Sequence, residues 1–140
     1  MARELFFVHS MADWNKVIDF ITPKLKDKSL FLLEGDLGAG KTTLVSLVAK
    51  KLNIQLVSSP TFSIISQHKN LTHVDLYRLE TMEEIDATGF WEIFEENKNI
   101  VFVEWSQKIS DDLWPLDWDI TKIVINKKSD SEREVIISEA

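Results

Sequence analysis

The sequence predicts a single mixed α/β domain, and three observations carry that reading. Residues 30–33 and 100–103 are continuous apolar runs of the kind buried on both faces of a parallel sheet. Segments of helical periodicity alternate with the strand-like runs along the chain. Three of the four glycines fall within one octet, between the first apolar strand and an amphipathic helix. No repeat, low-complexity tract or linker interrupts the pattern.

The elements follow in order. Residues 5–8 read as a short strand ended by His9 and Ser10. Ser10 is placed to N-cap a helix whose apolar positions Trp14, Val17, Ile18, Ile21 and Leu25 share one face. Pro23 predicts a stop or kink near its end. Residues 29–33 form the first buried strand. After the glycine-rich turn comes a helix with Leu44, Val45, Leu47, Val48, Ala49 and Leu52 inward. Residues 58–60 break the chain, and a strand is expected over 61–66. A turn at Lys69-Asn70 leads to a strand over 71–75, which makes a hairpin with the one before. Thr81 and Glu84 have capping-box spacing for a short helix that Gly89 closes. A second short helix, 90–95, precedes the strand 100–103. Residues 118–126 and 133–138 alternate as a terminal hairpin across a polar turn at 127–131.

Composition bounds the function. At 140 residues and 16.2 kDa the chain has the length of one domain. Its 44% apolar and 28% charged content builds a core and is unlike that of a disordered chain. With no cysteine, disulfides, thiolate zinc sites and cysteine nucleophiles are excluded. Sixteen basic against 23 acidic residues give a formal charge of −7 and a pI near 4.9. That balance lacks the basic footprint of an autonomous nucleic-acid binder. Only Arg3, Arg78 and Arg133 are arginines. No apolar run approaches membrane-spanning length, and the first ten residues lack a signal-peptide pattern. A cytoplasmic protein with no membrane partner is expected.

Gly35-Asp36-Leu37-Gly38-Ala39-Gly40-Lys41-Thr42 satisfies G-x-x-x-x-G-K-(S/T), directly after a strand and directly opening a helix. The chemistry needs that order. The glycines let the backbone curl until successive N–H groups face an anion, and the helix N-terminus adds its positive dipole end. Lys41 supplies a mobile charge for the β- and γ-phosphates, Thr42 a hydroxyl for Mg²⁺, and Thr43 a bond to the α-phosphate. A plain glycine-rich turn with a solvated lysine satisfies the same pattern, and the strand–helix context weighs against it.

A nucleotide site of this kind needs an acid at the end of a neighbouring strand. Glu104 follows Ile100-Val101-Phe102-Val103 and is favoured as a metal ligand. Asp75 follows the weaker Leu71-Thr72-His73-Val74 and is favoured for a catalytic or supporting role. The alternative for each is a strand-end acid facing water. Thr61, behind Pro60, is placed to order around the γ-phosphate as switch loops do. The guanine signature N-K-x-D is missing, since Asn126-Lys127-Lys128-Ser129-Asp130 sets the aspartate one place too far along. Adenine is therefore favoured. A small-molecule kinase using the same loop is the alternative function, although three scattered arginines cannot easily furnish a phosphate-clamping lid. A nucleotide-gated binding module is a further reading. Trp91, Trp105, Trp114 and Trp118 crowd the later half, either as core or as an interface.

Residues 35–43, the segment Val57-Ser58-Ser59-Pro60-Thr61-Phe62, the segment His73-Val74-Asp75-Leu76-Tyr77-Arg78, and Val103-Glu104-Trp105 together resemble the TsaE (YjeE) family. The resemblance covers nearly the whole chain. It implies a small three-layer fold of the P-loop NTPase type, with a mixed, mainly parallel central sheet of about seven strands and residues 1–140 forming one ATPase domain. It implies an Mg²⁺-dependent ATPase, slow alone and stimulated by partners, that binds ATP and ADP. The function implied is formation of N6-threonylcarbamoyladenosine at position 37 of tRNAs reading codons that begin with A. The partners implied are TsaD and TsaB, with tRNA met only through their complex. The resemblance puts the phosphates on residues 36–43, with Gly35 opening the loop, and Mg²⁺ on Thr42 and Glu104. It makes the Thr61 segment the first switch and Asp75 a residue needed for hydrolysis. Trp105 accompanies Glu104, and Ser10 and Arg133 come near the base. The chain departs from the family at Asn53, where many members have glycine, and in the tail turn 128–131, which lacks the usual glycine.

Overall fold

The first strand, β1 (Arg3–Val8), hands the chain to Ser10, whose backbone is extended and whose Oγ accepts from the Asp13 N–H at 3.3 Å. That bond satisfies one of the helix's free N-terminal donors, as expected of an N-cap. Helix α1 (Met11–Ile21) buries Trp14, Val17, Ile18 and Ile21. It ends sooner than its apolar face suggests, because Thr22–Lys24 with Pro23 tightens into a 3-10 turn. Leu25 thus lies beyond the helix and packs half-buried against the same core.

The computed structural model describes residues 3–56 and 64–139. Beyond α1 these comprise β2 (Ser29–Glu34), α2 (Lys41–Lys51), β3 (Ile65–His68), β4 (Leu71–Asp75), α3 (Met82–Ala87), β5 (Ile100–Glu104), β6 (Asp119–Lys127) and β7 (Arg133–Glu139). In α2 the buried stripe is Lys41, Leu44, Val45, Val48 and Ala49. Leu47 and Leu52, expected inward, are only half-buried. Leu47 flanks the stripe, and Leu52 sits at the C-cap where the chain leaves the helix. The β3–β4 hairpin forms with Lys69 at φ 54° in its turn. The predicted start of β3 at 61–63 lies outside the described residues. Thr81 caps α3, its Oγ1 accepting from the Glu84 N–H at 3.1 Å. Gly89, at φ 80°, turns the chain into a 3-10 stretch, Phe90–Glu95.

The seven strands form one sheet in the order β1–β7–β6–β2–β5–β4–β3. The parallel part is the centre, where β6, β2, β5 and β4 run together. Antiparallel pairs add β7 and β1 at one side and β3 at the other. Strand β2 is buried on both faces, and its alternation divides the core in two. Phe31 and Leu33 face α1 and α2, while Leu30 and Leu32 face the packing around Ile85, Phe90, Trp114 and Trp118. Phe31 and Phe102, paired across β2 and β5, stack with ring centroids 4.4 Å apart. Each such buried side chain stabilises by about 1.5–3 kcal/mol. Of the four later tryptophans, Trp114 and Trp118 belong to the core and Trp91 donates to Asp86 Oδ1 at 2.7 Å.

Register aligns the carboxyl ends of the central strands. Leu33 and Asp75 both pair with Glu104 from opposite sides. The glycine-rich loop, Asp75 and Glu104 therefore open on one edge, where ligands bind in open parallel sheets.

Candidate functional site: a glycine-rich loop and its acidic wall

Two glycines of the octet are dictated by their surroundings. A Cβ on Gly35 would lie 2.5 Å from the Ile125 carbonyl oxygen, so the loop can pass β6 only without a side chain. Gly40 sits at φ 119°, with Trp14 Cζ2 2.9 Å from where its Cβ would be. It stands at the N-cap of α2, and no side chain caps that helix. An uncapped N-terminus at the end of a glycine loop is an anion site in waiting.

Lys41 opens α2 and is only 4% exposed. Its Nζ donates to the carbonyls of Gly35 at 2.5 Å and Asp36 at 2.9 Å, and lies 4.4 Å from the Trp105 ring centroid. Burial pushes the Lys41 ammonium below the ordinary lysine range, while Glu104, Asp75 and Asp36 act against that shift. Trp105 holds its position at φ 62° and ψ 36°, a left-handed backbone that costs a bulky residue about 1–3 kcal/mol. Its ring lies against Tyr77, with centroids 5.0 Å apart.

Glu104 ends β5 with its side chain 4% exposed. The Thr42 hydroxyl stands 3.2 Å from its Oε1 and 3.1 Å from its Oε2. His73 Nε2 is hydrogen-bonded to Oε2 as well. Asp75 Oδ1 accepts from the Tyr77 N–H at 3.0 Å, which fixes the turn after β4. A cleft of about 210 Å³ joins the loop to Asp75, Tyr77, Glu104 and Trp105. A second cleft of about 320 Å³ lies on the other side of Gly38, Gly40 and Thr43, and is lined by Ser10, Trp14 and Arg133. Arg133 Nε donates to the Ala39 carbonyl at 2.8 Å and Nη2 to that of Gly38 at 3.2 Å, so β7 grips the loop from behind.

The structure thus brings together Gly35, Asp36, Leu37, Gly38, Ala39, Gly40, Lys41, Thr42, Thr43, Asp75, Glu104 and Trp105 around one cradle, with Ser10 and Arg133 at the adjoining cleft. Thr61 lies outside the described residues. His73 and Tyr77 line the site as well, although the sequence pattern marks them only as members of the 73–78 segment. The period of two in β4 puts His73 on the side of Asp75, and that spacing was the available signal.

A hydroxyl and a carboxylate converging at one point form an all-oxygen donor pair suited to Mg²⁺, which commonly takes one or two carboxylates and completes its shell with phosphate and water. Among the described residues no cluster of three or more His, Cys, Asp or Glu could hold a metal by itself.

A family model described as "Threonylcarbamoyl adenosine biosynthesis protein TsaE" matches residues 8–135. A tRNA threonylcarbamoyladenosine biosynthesis protein TsaE of Nostoc sp. is 46% identical over 88 residues, 58% of this chain and 54% of that protein. The protein of the same name from Bacillus subtilis is 38% identical over 115 residues, 79% of this chain and 69% of its own length. The matched part therefore spans just over half of the first relative and about two thirds of the second. The crystal structure of Bacillus YdiB superposes with a TM-score of 0.74 at 26% identity, covering 99% of this chain and 86% of that one.

Proposed function

This chain belongs to the TsaE family, and from that premise we propose that it is the ATP-binding and ATP-hydrolysing subunit for N6-threonylcarbamoyladenosine formation at position 37 of tRNAs reading codons that begin with A. The observation that carries the reading is the meeting of Thr42 and Glu104 beside the loop that Lys41 closes.

The loop N–H groups and the start of α2 receive the phosphates, and Lys41 leaves the Gly35 and Asp36 carbonyls to meet them. Thr42 and Glu104 would hold Mg²⁺, which when bound neutralises charge on the β- and γ-phosphate oxygens. Asp75 stands at the cleft as the carboxylate that orients attacking water. The cleft beside Ser10 and Arg133 takes the nucleoside end of ATP or ADP. The role of Thr61 as a switch rests on the family resemblance.

Hydrolysis is favoured over phosphoryl transfer to a small molecule because the sequence has only three arginines, scattered along the chain, which cannot easily furnish a phosphate-clamping lid. Arg133 is committed to the loop's own carbonyls, and Arg3 lies in the edge strand β1. Slow turnover alone, raised by TsaD and TsaB, is the corollary. A net charge of −7 fits a subunit that leaves the tRNA to those partners in the cytoplasm. Phosphate release measured with TsaB and TsaD tests the proposal. Lys41→Ala and Glu104→Ala should each abolish the stimulated rate, and full activity in either would refute the site. A phosphorylated acceptor in place of free phosphate would restore the kinase reading.

A further inference from the structure

Strands β4 and β5 are parallel with His73 opposite Phe102 and Asp75 opposite Glu104. Alternation then sets His73 and Glu104 on one face, a single pleat apart. The two side chains meet directly, with His73 Nε2 bonded to Glu104 Oε2, and they are 19% and 4% exposed. An ionised carboxylate oxygen only accepts, so the imidazole donates through its Nε2–H. We infer that His73 is a positioning residue for the Glu104 carboxylate, holding it in the orientation that receives a divalent cation beside Thr42. The inference rests on the ATPase reading and adds a residue to it.

Lys41 does not do this work, since its Nζ is bound to the loop carbonyls and lies over Trp105. Thr42 touches both carboxylate oxygens almost equally and so does not select between their orientations. His73 bonds one oxygen from the neighbouring strand and breaks that symmetry. A carboxylate this deeply buried also needs donors to offset its lost hydration. Partners that orient a metal ligand typically change metal affinity by about 10–100-fold when removed.

The test is the Mg²⁺ dependence of binding a fluorescent ADP analogue to the whole chain, with the melting temperature of every variant. The proteins are the parent, His73→Ala, His73→Phe, His73→Gln and Lys41→Ala. His73→Phe keeps the ring volume without the donor, so a defect from lost packing in His73→Ala does not decide the outcome. Loss of the donor should raise the Mg²⁺ concentration for half-saturation by about 10–100-fold, with metal-free ADP affinity unchanged. His73→Gln, whose amide nitrogen restores a donor, should recover most of the loss. A His73→Phe protein with the parent's Mg²⁺ dependence overturns the inference, as does a His73→Gln protein no better than His73→Phe. If Lys41→Ala binds ADP as the parent does, the nucleotide reading itself is wrong. If Lys41→Ala loses binding while the His73 variants keep the parent's metal dependence, only the positioning role falls.

Discussion

The Thr42 hydroxyl lies 3.1 and 3.2 Å from the two carboxylate oxygens of Glu104, joining residues 62 apart in sequence. It ties the first turn of α2 to the end of β5 at the mouth of the glycine-rich loop. Glu104→Gln preserves the shape and removes the charge. An amide is a weaker donor to Mg²⁺ than a carboxylate, so Mg²⁺-supported nucleotide binding should weaken by at least the roughly 10–100-fold typical of losing a partner that supports a metal ligand. Titration with and without a chelator checks this, and the variant's metal-free affinity should match that of the parent.

The three loop glycines should differ in their tolerance of alanine. Gly38 faces open space at φ 76°, so Gly38→Ala costs only the left-handed backbone, about 1–2 kcal/mol. Gly35→Ala meets a backbone carbonyl that cannot swing away, and Gly40→Ala meets the Trp14 ring. Melting temperatures should therefore fall least for Gly38→Ala and most for Gly35→Ala. Equal losses at all three would mean that the close approaches do not govern stability.

Arg133 is the clasp between β7 and the loop. Arg133→Lys keeps the charge but not the planar fork that reaches Ala39 and Gly38 together. Both Arg133→Lys and Arg133→Ala should lose about 1–3 kcal/mol of stability, with Arg133→Ala the worse. Chemical denaturation measures the loss. A lysine variant as stable as the parent would show that charge alone suffices.

Lys41 gives a prediction in the opposite direction. Its folded-state pKa is lowered, first by burial, from an unfolded value near 10.4. Between those two values the folded chain binds fewer protons, so this residue's contribution to stability rises with pH across that window. At neutral pH the buried ammonium is a cost. Lys41→Met should therefore melt above the parent at neutral pH, with the difference shrinking as pH rises towards about 10.4. The same variant should lose ATP binding. A lower melting temperature at neutral pH would contradict the assigned cause.

The fold was legible where sequence periodicity was strong. The double-sided burial of residues 29–33 and 100–103, the Ser10 and Thr81 caps and the terminal hairpin all stand at or near their predicted places. Pro23 marked the end of α1, and what the apolar spacing did not show is that Leu25 reaches the same core from beyond the helix. The cradle could be read from one octet because its spacing is local. The bond from His73 to Glu104 and the grip of Arg133 on the loop depend on strand order and register, which local patterning does not encode. Lys41 folding back under Trp105 was invisible for the same reason.

A nucleotide site at the Gly35–Thr42 loop requires that ATP bind there and that binding depend on Lys41. The most direct measurement is calorimetric titration of the chain with ATP and Mg²⁺, beside Lys41→Ala. One saturable site that Lys41→Ala abolishes is the expected result. No saturable binding to the parent, or binding that survives intact in Lys41→Ala, would contradict it.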